Sequence, residues 1–434
     1  MSNNVPYLSI IIPVFNQWRL TEQCLKSLCE HTPGSFFEVI VVDNASTDET
    51  AMFCRQLGDS LFADRFILLR QSENLGFARA CNLGAEQTKG EYLFFLNNDT
   101  LLTKDWLPPL FQAFRTFHGL GMVGPLLLYP GTERVQHLGV TFLPGPQVAH
   151  LYEHFPADHP VVRRPRRLQA ITGAAFLVPR RLFEQCGGFF PGYLNSYEDL
   201  DLCTQIRKNN HSLLCIPESK IYHLAGQSEG RFTHDTENSG IFYQRCAACV
   251  TPDTHHLVQE DGYELHLTPW LTPYIALPSH RRAQLTLELS RQQNPQSYWA
   301  ALQQEPLWVD GYALLARALE KISAWEDACL TRILQIHFEP SIQALRLLLG
   351  TAKQAGNASL VEQTTRRIQG IYEYLGNPSR LQLKAEIVIA QARACGDEKL
   401  EAIYRQWQRE TSLSRRHPKN HPNSCQPQST SASI

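Results

Sequence analysis

Leu8–Val14 reads LSIIIPV, and its near-continuous apolar run is what a strand buried on both faces of a sheet requires. A second strand is predicted at Phe37–Val42 (FEVIVV), a third at Phe66–Leu69 and a fourth at Glu91–Leu96 (EYLFFL). Between them, Leu20–Cys29 carries apolar residues at helical spacing, and Phe77–Thr88 reads as a helix closed by Gly90. Ser46, three residues before Glu49, has the spacing of a capping box and is expected to open the intervening helix. A β-α-β-α-β order of this kind implies an α/β fold with a mostly parallel sheet and helices on its faces.

Farther along the pattern changes. Residues 120–240 carry more proline and glycine and shorter strand signals (GMVGPLLLY, AAFLVP, SLLCIPESKIYH), read as a mixed sheet with longer loops that hold an acceptor site. The domain boundaries expected are 1–245 for the α/β domain, 246–280 for an unpatterned connecting segment, 281–410 for an all-α helical domain and 411–434 for a polar, disordered tail. Gly350, Gly356, Gly376, Pro378 and Gly396 are expected between helices. Trp308–Pro340 approaches a tetratricopeptide-type helix pair, but the period fades after Gly350, so a short solenoid or bundle is the firmer reading.

The composition narrows the class. Of 434 residues, 43% are hydrophobic and 19% charged, enough apolar material for a core without disulfides. Formal net charge is -2, which argues against a nucleic-acid-binding protein. MSNNVPYLSIIIPVF runs straight into the first strand, so no signal peptide is expected, and the longest apolar runs fall short of the ~20 residues a membrane span needs. The expected location is cytoplasmic, compatible with peripheral attachment at the inner face of a membrane. The twelve cysteines are scattered; Cys246 and Cys249 form one CxxC without a partner pair, read as packing rather than a zinc site.

Polar residues gather where the predicted strands end: Asn16 after the first, Asp43 and Asn44 after the second, Asn97, Asn98 and Asp99 after the fourth. Ligands of open α/β sheets bind at that rim. Turn residues are also needed there, so each cluster alone has an ordinary explanation. Neither GxGxxG nor GxxxxGK[ST] is present, which disfavours a dinucleotide site and a P-loop.

Taken in order, SIIIPVFN, VVDNASTDET, ENLGFARACNLGAEQTKGEYLFFLNND and NSYEDLDLC resemble family 2 glycosyltransferases of the GT-A fold, closest in flavour to the rhamnosyltransferase-like and galactofuranosyltransferase-like branches. The resemblance covers about residues 7–230. It implies a GT-A nucleotide-diphospho-sugar transferase fold and an inverting transfer from a UDP- or dTDP-sugar to a glycan, lipid-linked or protein acceptor. By that resemblance Pro13, Phe15 and Asn16 line the nucleoside pocket, and Asp43 reads the imide edge of the base. Asn74, Gly76, Phe77 and Asn82 approach the donor, and Asn98 and Asp99 stand at the metal motif. Only Asp99 of Asn97-Asn98-Asp99 is charged, so a divalent metal, Mn²⁺ or Mg²⁺, is expected on Asp99 with help from His223 and the donor diphosphate. Asp199 is the implied general base, with Glu198 beside it, although Ser196 and Asp199 also have N-capping spacing. Gly173 and Ala174 match a small-residue segment between donor and acceptor. The helical domain is a candidate surface for a protein partner or self-association. The rival reading is a non-catalytic nucleotide-sugar-binding scaffold, which the neutral Asn97 and Asn98 favour.

Overall fold

The computed structural model describes residues 6–145, 147–224, 234–289 and 294–416. Two compact units emerge: residues 1–257 with 303–306, and residues 258–302 with 307–434.

The first unit is built on a ten-stranded sheet. Its strands in chain order are β1 (Leu8–Val14), β2 (Phe37–Asp43), β3 (Phe66–Arg70), β4 (Tyr92–Leu96), β5 (Thr100–Leu102), β6 (Leu120–Leu128) and β7 (Val135–His137). A separate hairpin, β8 (Val140–Phe142) and β9 (Val148–His150), precedes β10 (Arg167–Leu168), β11 (Ala175–Pro179) and β12 (Ser212–His223) of the main sheet. The order across the sheet is β10-β12-β6-β11-β4-β1-β2-β3, with β5 on β12 and β7 on β6. Pairing is parallel through β3, β2, β1 and β4 and between β6 and β12. β11, inserted between β4 and β6, runs antiparallel to both.

The helices are α1 (Trp18–His31), α2 (Thr50–Phe62), α3 (Phe77–Glu86), α4 (Pro108–Thr116), α5 (Arg180–Gln185), α6 (Glu198–Lys208) and α7 (Asp235–Cys246). They cover both faces, and alternation along the strands shows why. Ile10, Ile12, Val39 and Val41 pack with Leu25 and Leu28 of α1 and Cys54 of α2, whereas Ile40 and Val42 meet Ala80 of α3. With both sets buried, the strand must be apolar at nearly every position, as LSIIIPV is; its polar residue, Ser9, is buried and donates to Glu38 Oε1 at 2.6 Å. A Cβ on Gly84 of α3 would come 2.6 Å from Ile11 Cγ2, so only glycine lets that helix lie so close to the sheet.

The capping box at Ser46 does not form. Asn16 N–H takes the Ser46 hydroxyl, and Asp48 instead accepts the N–H of Thr50 and of Trp18 at 3.0 Å each. That exchange ties the loop after β1 to the loop after β2.

In the second unit, the segment expected to be unpatterned contains an antiparallel hairpin, Glu264–Leu267 with Pro273–Ala276. Four-residue strands are too short to register as a period. Helices follow from Ser279–Leu289 to Glu398–Arg416. From Val309–Lys321 onward each packs on the next in sequence, the nearest-neighbour pattern of a solenoid. Asn357 and Asn377 cap the helices that follow them, and Gly356 and Gly396 adopt left-handed backbone at the breaks. Gly350 lies inside the helix Ile342–Gln354, contrary to its reading as a breaker. The last helix runs to Arg416, past the expected limit at 410, and Thr411 and Ser412 within it donate their hydroxyls back to the Trp407 and Gln408 carbonyls. Residues 417–434, expected to be a disordered tail, lie outside the described residues. Among the described residues no helix is long and apolar enough to cross a membrane.

Candidate functional site

β1 is the switch point of the sheet, with α1 leaving it toward one face and α3 covering the other. The carboxyl ends of β1 and β4 therefore open onto a crevice. β11 runs antiparallel to β4 with Ala175 opposite Leu96, which brings Gly173 and Ala174 to the same rim. β12 pairs His223 with Thr100, which delivers His223 beside Asp99. A cleft of about 400 Å³ opens there. Pro13, Phe15, Asn74, Gly76 and Phe77 line one part of it, with Asn98 and Asp99 at the strand end and Gly173, Ala174, Glu198 and Asp199 beyond. Phe15 is 48% exposed, an aromatic face available to a planar ligand.

Three expected residues go elsewhere. Asp43 is 1% exposed and does not line the cleft; its carboxylate accepts Ser46 N–H at 2.8 Å and faces Arg70 Nε at 3.8 Å. Asn16 turns its Oδ1 to Thr47 N–H at 2.8 Å, holding the same pair of loops together. Asn82 clamps the backbone of Phe189, donating to its carbonyl at 2.8 Å and accepting its N–H at 2.9 Å. Each is a turn or clamp residue because a nearby backbone group captured its side chain first. Asn44, which was given no role, does line the cleft; it is 4% exposed, and its Oδ1 has no hydrogen-bond partner among the described residues.

Gly76 turns at φ 76°, and a Cβ there would meet Leu194 O at 2.7 Å. Both the dihedral and the collision require glycine. Gly76→Ala is expected to destabilise the first unit by about 1–3 kcal/mol, read as a lower urea midpoint. An unchanged midpoint would mean that the 194–195 backbone yields freely.

His223 and Asp99 make an unusual pair. Gln136 donates its Nε2–H to the His223 carbonyl at 2.8 Å, so its Oε1 must face His223 Nδ1, at 2.6 Å. A carbonyl oxygen only accepts, so Nδ1 carries the proton. When neutral, His223 offers a lone pair from Nε2, 3.2 Å from Asp99 Oδ1. Two acceptors this close either share a proton or share a cation. An imidazole and a carboxylate, with the imidazole oriented by an amide behind it, fit a divalent ion as donor set and as outer shell.

Asp199 is held on both oxygens. Oδ2 accepts Gly173 N–H at 2.7 Å, and Oδ1 accepts Leu200 N–H at 2.8 Å. The capping explanation of this motif is not realised: α6 begins after Tyr197 with no side-chain cap. Ser196 and Tyr197 instead take φ values of 70° and 72°, two consecutive non-glycine residues in left-handed backbone at the cleft wall. Asp201, 1% exposed, fastens α7 by accepting from Arg245 Nε at 2.5 Å and from the Tyr193 hydroxyl at 3.0 Å. α7 in turn places Asp235 in the cleft wall. The burial of Tyr193 and the Asp201 carboxylate beside it hold that phenol well above its ordinary range.

Comparison with known proteins bears on this cleft. Residues 9–187 match the family described as Glycosyl transferase family 2. This chain carries a family 2 glycosyltransferase domain. The family 2 domain is similar to the uncharacterized protein y4gI of Sinorhizobium fredii, 28% identical over 55% of this chain and 26% of that protein. It is also similar to the glycosyltransferase AglE of Haloferax volcanii, 37% identical over 28% of this chain and 39% of that protein. The chain thus spans well under half the length of these relatives. A crystal structure of GalNAc-T7 with UDP, GalNAc and Mn²⁺ aligns at a TM-score of 0.46 and 17% identity, covering 57% of this chain and 50% of that one.

Two histidines in the cleft region were absent from the sequence reading. His150 lines the cleft, and His137, 2% exposed, lies behind it. Burial, with smaller contributions from His150 and His223, holds the His137 imidazole well below its ordinary pKa. Nothing in their spacing marks them, since they meet only because the β8–β9 hairpin folds back to bring His150 beside His137.

Proposed function

We propose that this protein is an inverting glycosyltransferase that moves a sugar from a UDP- or dTDP-sugar to a hydroxyl of a glycan, lipid-linked or protein acceptor. The observation that carries this reading is that Asp199 and Asp99 line one cleft at the carboxyl rim of the sheet, with the buried His223 3.2 Å behind Asp99. The nucleobase stacks on Phe15. Asp99 and His223 would hold a divalent ion, Mn²⁺ or Mg²⁺, with the donor diphosphate completing its shell. Such an ion stabilises negative charge on the departing diphosphate.

Asp199 takes the proton of the attacking hydroxyl as the new C–O bond forms and the bond to the diphosphate breaks. Its two backbone N–H donors fix the plane of the carboxylate, so the base is positioned before the acceptor arrives. Gly173 presents no side chain beside it; a Cβ there would lie 3.1 Å from Asp199 Cβ and crowd the carboxylate.

Incubation with a panel of UDP- and dTDP-sugars plus Mn²⁺ or Mg²⁺ tests the proposal, with release of the nucleoside diphosphate as the readout. Slow hydrolysis of at least one donor, rising when a sugar acceptor is supplied, is the expected result. Donor binding without turnover under any condition would instead identify a non-catalytic binder.

A further inference from the structure

The His137–His150 pair has a hydrogen-bond order that admits one assignment. Thr172 N–H donates to His137 Nε2 at 3.1 Å, and a peptide N–H can only donate. His137 Nε2 is therefore a lone pair, and the single proton of this buried, neutral ring sits on Nδ1. That atom lies 2.8 Å from His150 Nδ1. His150 Nδ1 must accept, so the His150 proton is on Nε2. A doubly protonated His150 would set N–H against N–H across that 2.8 Å contact. The buried ring thus keeps the cleft-lining ring as a neutral Nε2–H donor.

The position of this donor is equally defined. Val140 pairs with His150 across the β8–β9 hairpin, and Val148 shares its face by the two-residue repeat of a strand. All three line the cleft. The residue that anchors His137 is Thr172; the next one, Gly173, anchors Asp199 Oδ2. The histidine pair and the expected base therefore hang from adjacent peptide groups, on the wall reached through β11 rather than through β1 and β2, where Phe15 and Asn44 lie. A base that removes the acceptor's proton has the acceptor next to it.

We propose that His150, oriented by His137, is an acceptor-positioning residue that donates from Nε2 to an oxygen of an uncharged carbohydrate acceptor whose C–H face rests on Val140 and Val148. Small apolar side chains beside a neutral donor suit a pyranose, which has an apolar face and hydroxyl oxygens, better than a phosphate or carboxylate, which calls for a cation. The inference rests on the glycosyltransferase reading.

Long-range ¹H–¹⁵N spectra of histidine-labelled protein, with His150 assigned by its loss in His150→Gln, read the tautomer directly. Wild type is expected to show His150 protonated on Nε2, and His137→Phe a mixture of tautomers. Neutral methyl hexosides are then titrated in. At least one is expected to move the His150 Nε2 signal, and methyl hexoside phosphates are expected to move it less. In kinetics with a methyl glycoside that the wild type uses, His150→Ala raises the acceptor KM about tenfold, the worth of one hydrogen bond, while the donor KM changes by less than about twofold. His150→Gln, which keeps an N–H donor, recovers part of that loss. His137→Phe, which also leaves Thr172 N–H without its acceptor, shows the same rise in acceptor KM together with a lowered melting temperature.

A wild-type His150 protonated on Nδ1 would overturn the proposal. So would the absence of any glycoside-induced shift, or a fall in kcat at constant acceptor KM. A protein that turns over no sugar nucleotide would instead refute the underlying reading, and the tautomer and titration measurements would still decide the role of His150.

Discussion

Replacing Asp199 with Asn lowers kcat by about 10²–10⁴-fold, the range a positioned general base supplies, while the donor still binds. The side chain keeps its size, but an amide cannot take a proton from the acceptor hydroxyl. The substitution also has a structural cost. Both oxygens of Asp199 face backbone donors, Gly173 N–H and Leu200 N–H, so the Asn amide must set its NH₂ against one of them. A loss of about 1–2 kcal/mol in stability is expected from that mismatch. The kinetic effect is separable because it falls on kcat and leaves the affinity for a nucleoside diphosphate within a few-fold. A variant that retains most of its kcat would remove Asp199 from the chemistry and leave it as a brace for the Gly173 turn.

Asp99→Asn and His223→Ala form the second large effect, each expected to reduce kcat/KM by about 10²–10³-fold when a leaving diphosphate loses its charge stabilisation. The reading does not depend on activity alone. In the wild type, Mn²⁺ raises the melting temperature by mass action, and in either variant that rise disappears. Gln136 gives a finer test. It holds the proton on His223 Nδ1 through its Oε1 at 2.6 Å, and so leaves Nε2 as the lone pair facing Asp99. Gln136→Leu is expected to weaken metal affinity about 10–100-fold, the usual penalty for losing an outer-shell partner. Turnover and melting behaviour indifferent to chelators would reassign Asp99–His223 to a proton-sharing pair.

The outcome at individual residues shows which signals a sequence carries. Asp99 and Gly173 line one cleft and His223 lies beside Asp99, because strand ends on one rim converge once the strand order is right. Asp43, Asn16 and Asn82 had the right residue types at the right places in the chain, yet Ser46, Thr47 and Phe189 backbone groups occupy their side chains. Motif spacing reports which residues stand near a rim and does not report which way a side chain turns after local hydrogen bonds compete for it. The places of Asn44 and the His137–His150 pair were overlooked for the converse reason: nothing periodic distinguishes them, and their contacts run to partners 32 or more residues away or across the β8–β9 hairpin.

By itself, then, the sequence determined the alternation of elements and the burial of both sheet faces, because apolar runs such as LSIIIPV leave no polar edge for water and hydrophobic burial follows local pattern. Tertiary structure alone decided the insertion of β11 between β4 and β6, the turning of Asp43 into its loop and the hydrogen-bond partners of His137, His150 and His223. Those depend on hydrogen bonds between groups distant in the chain, whose direction is set only when the strands have taken their register.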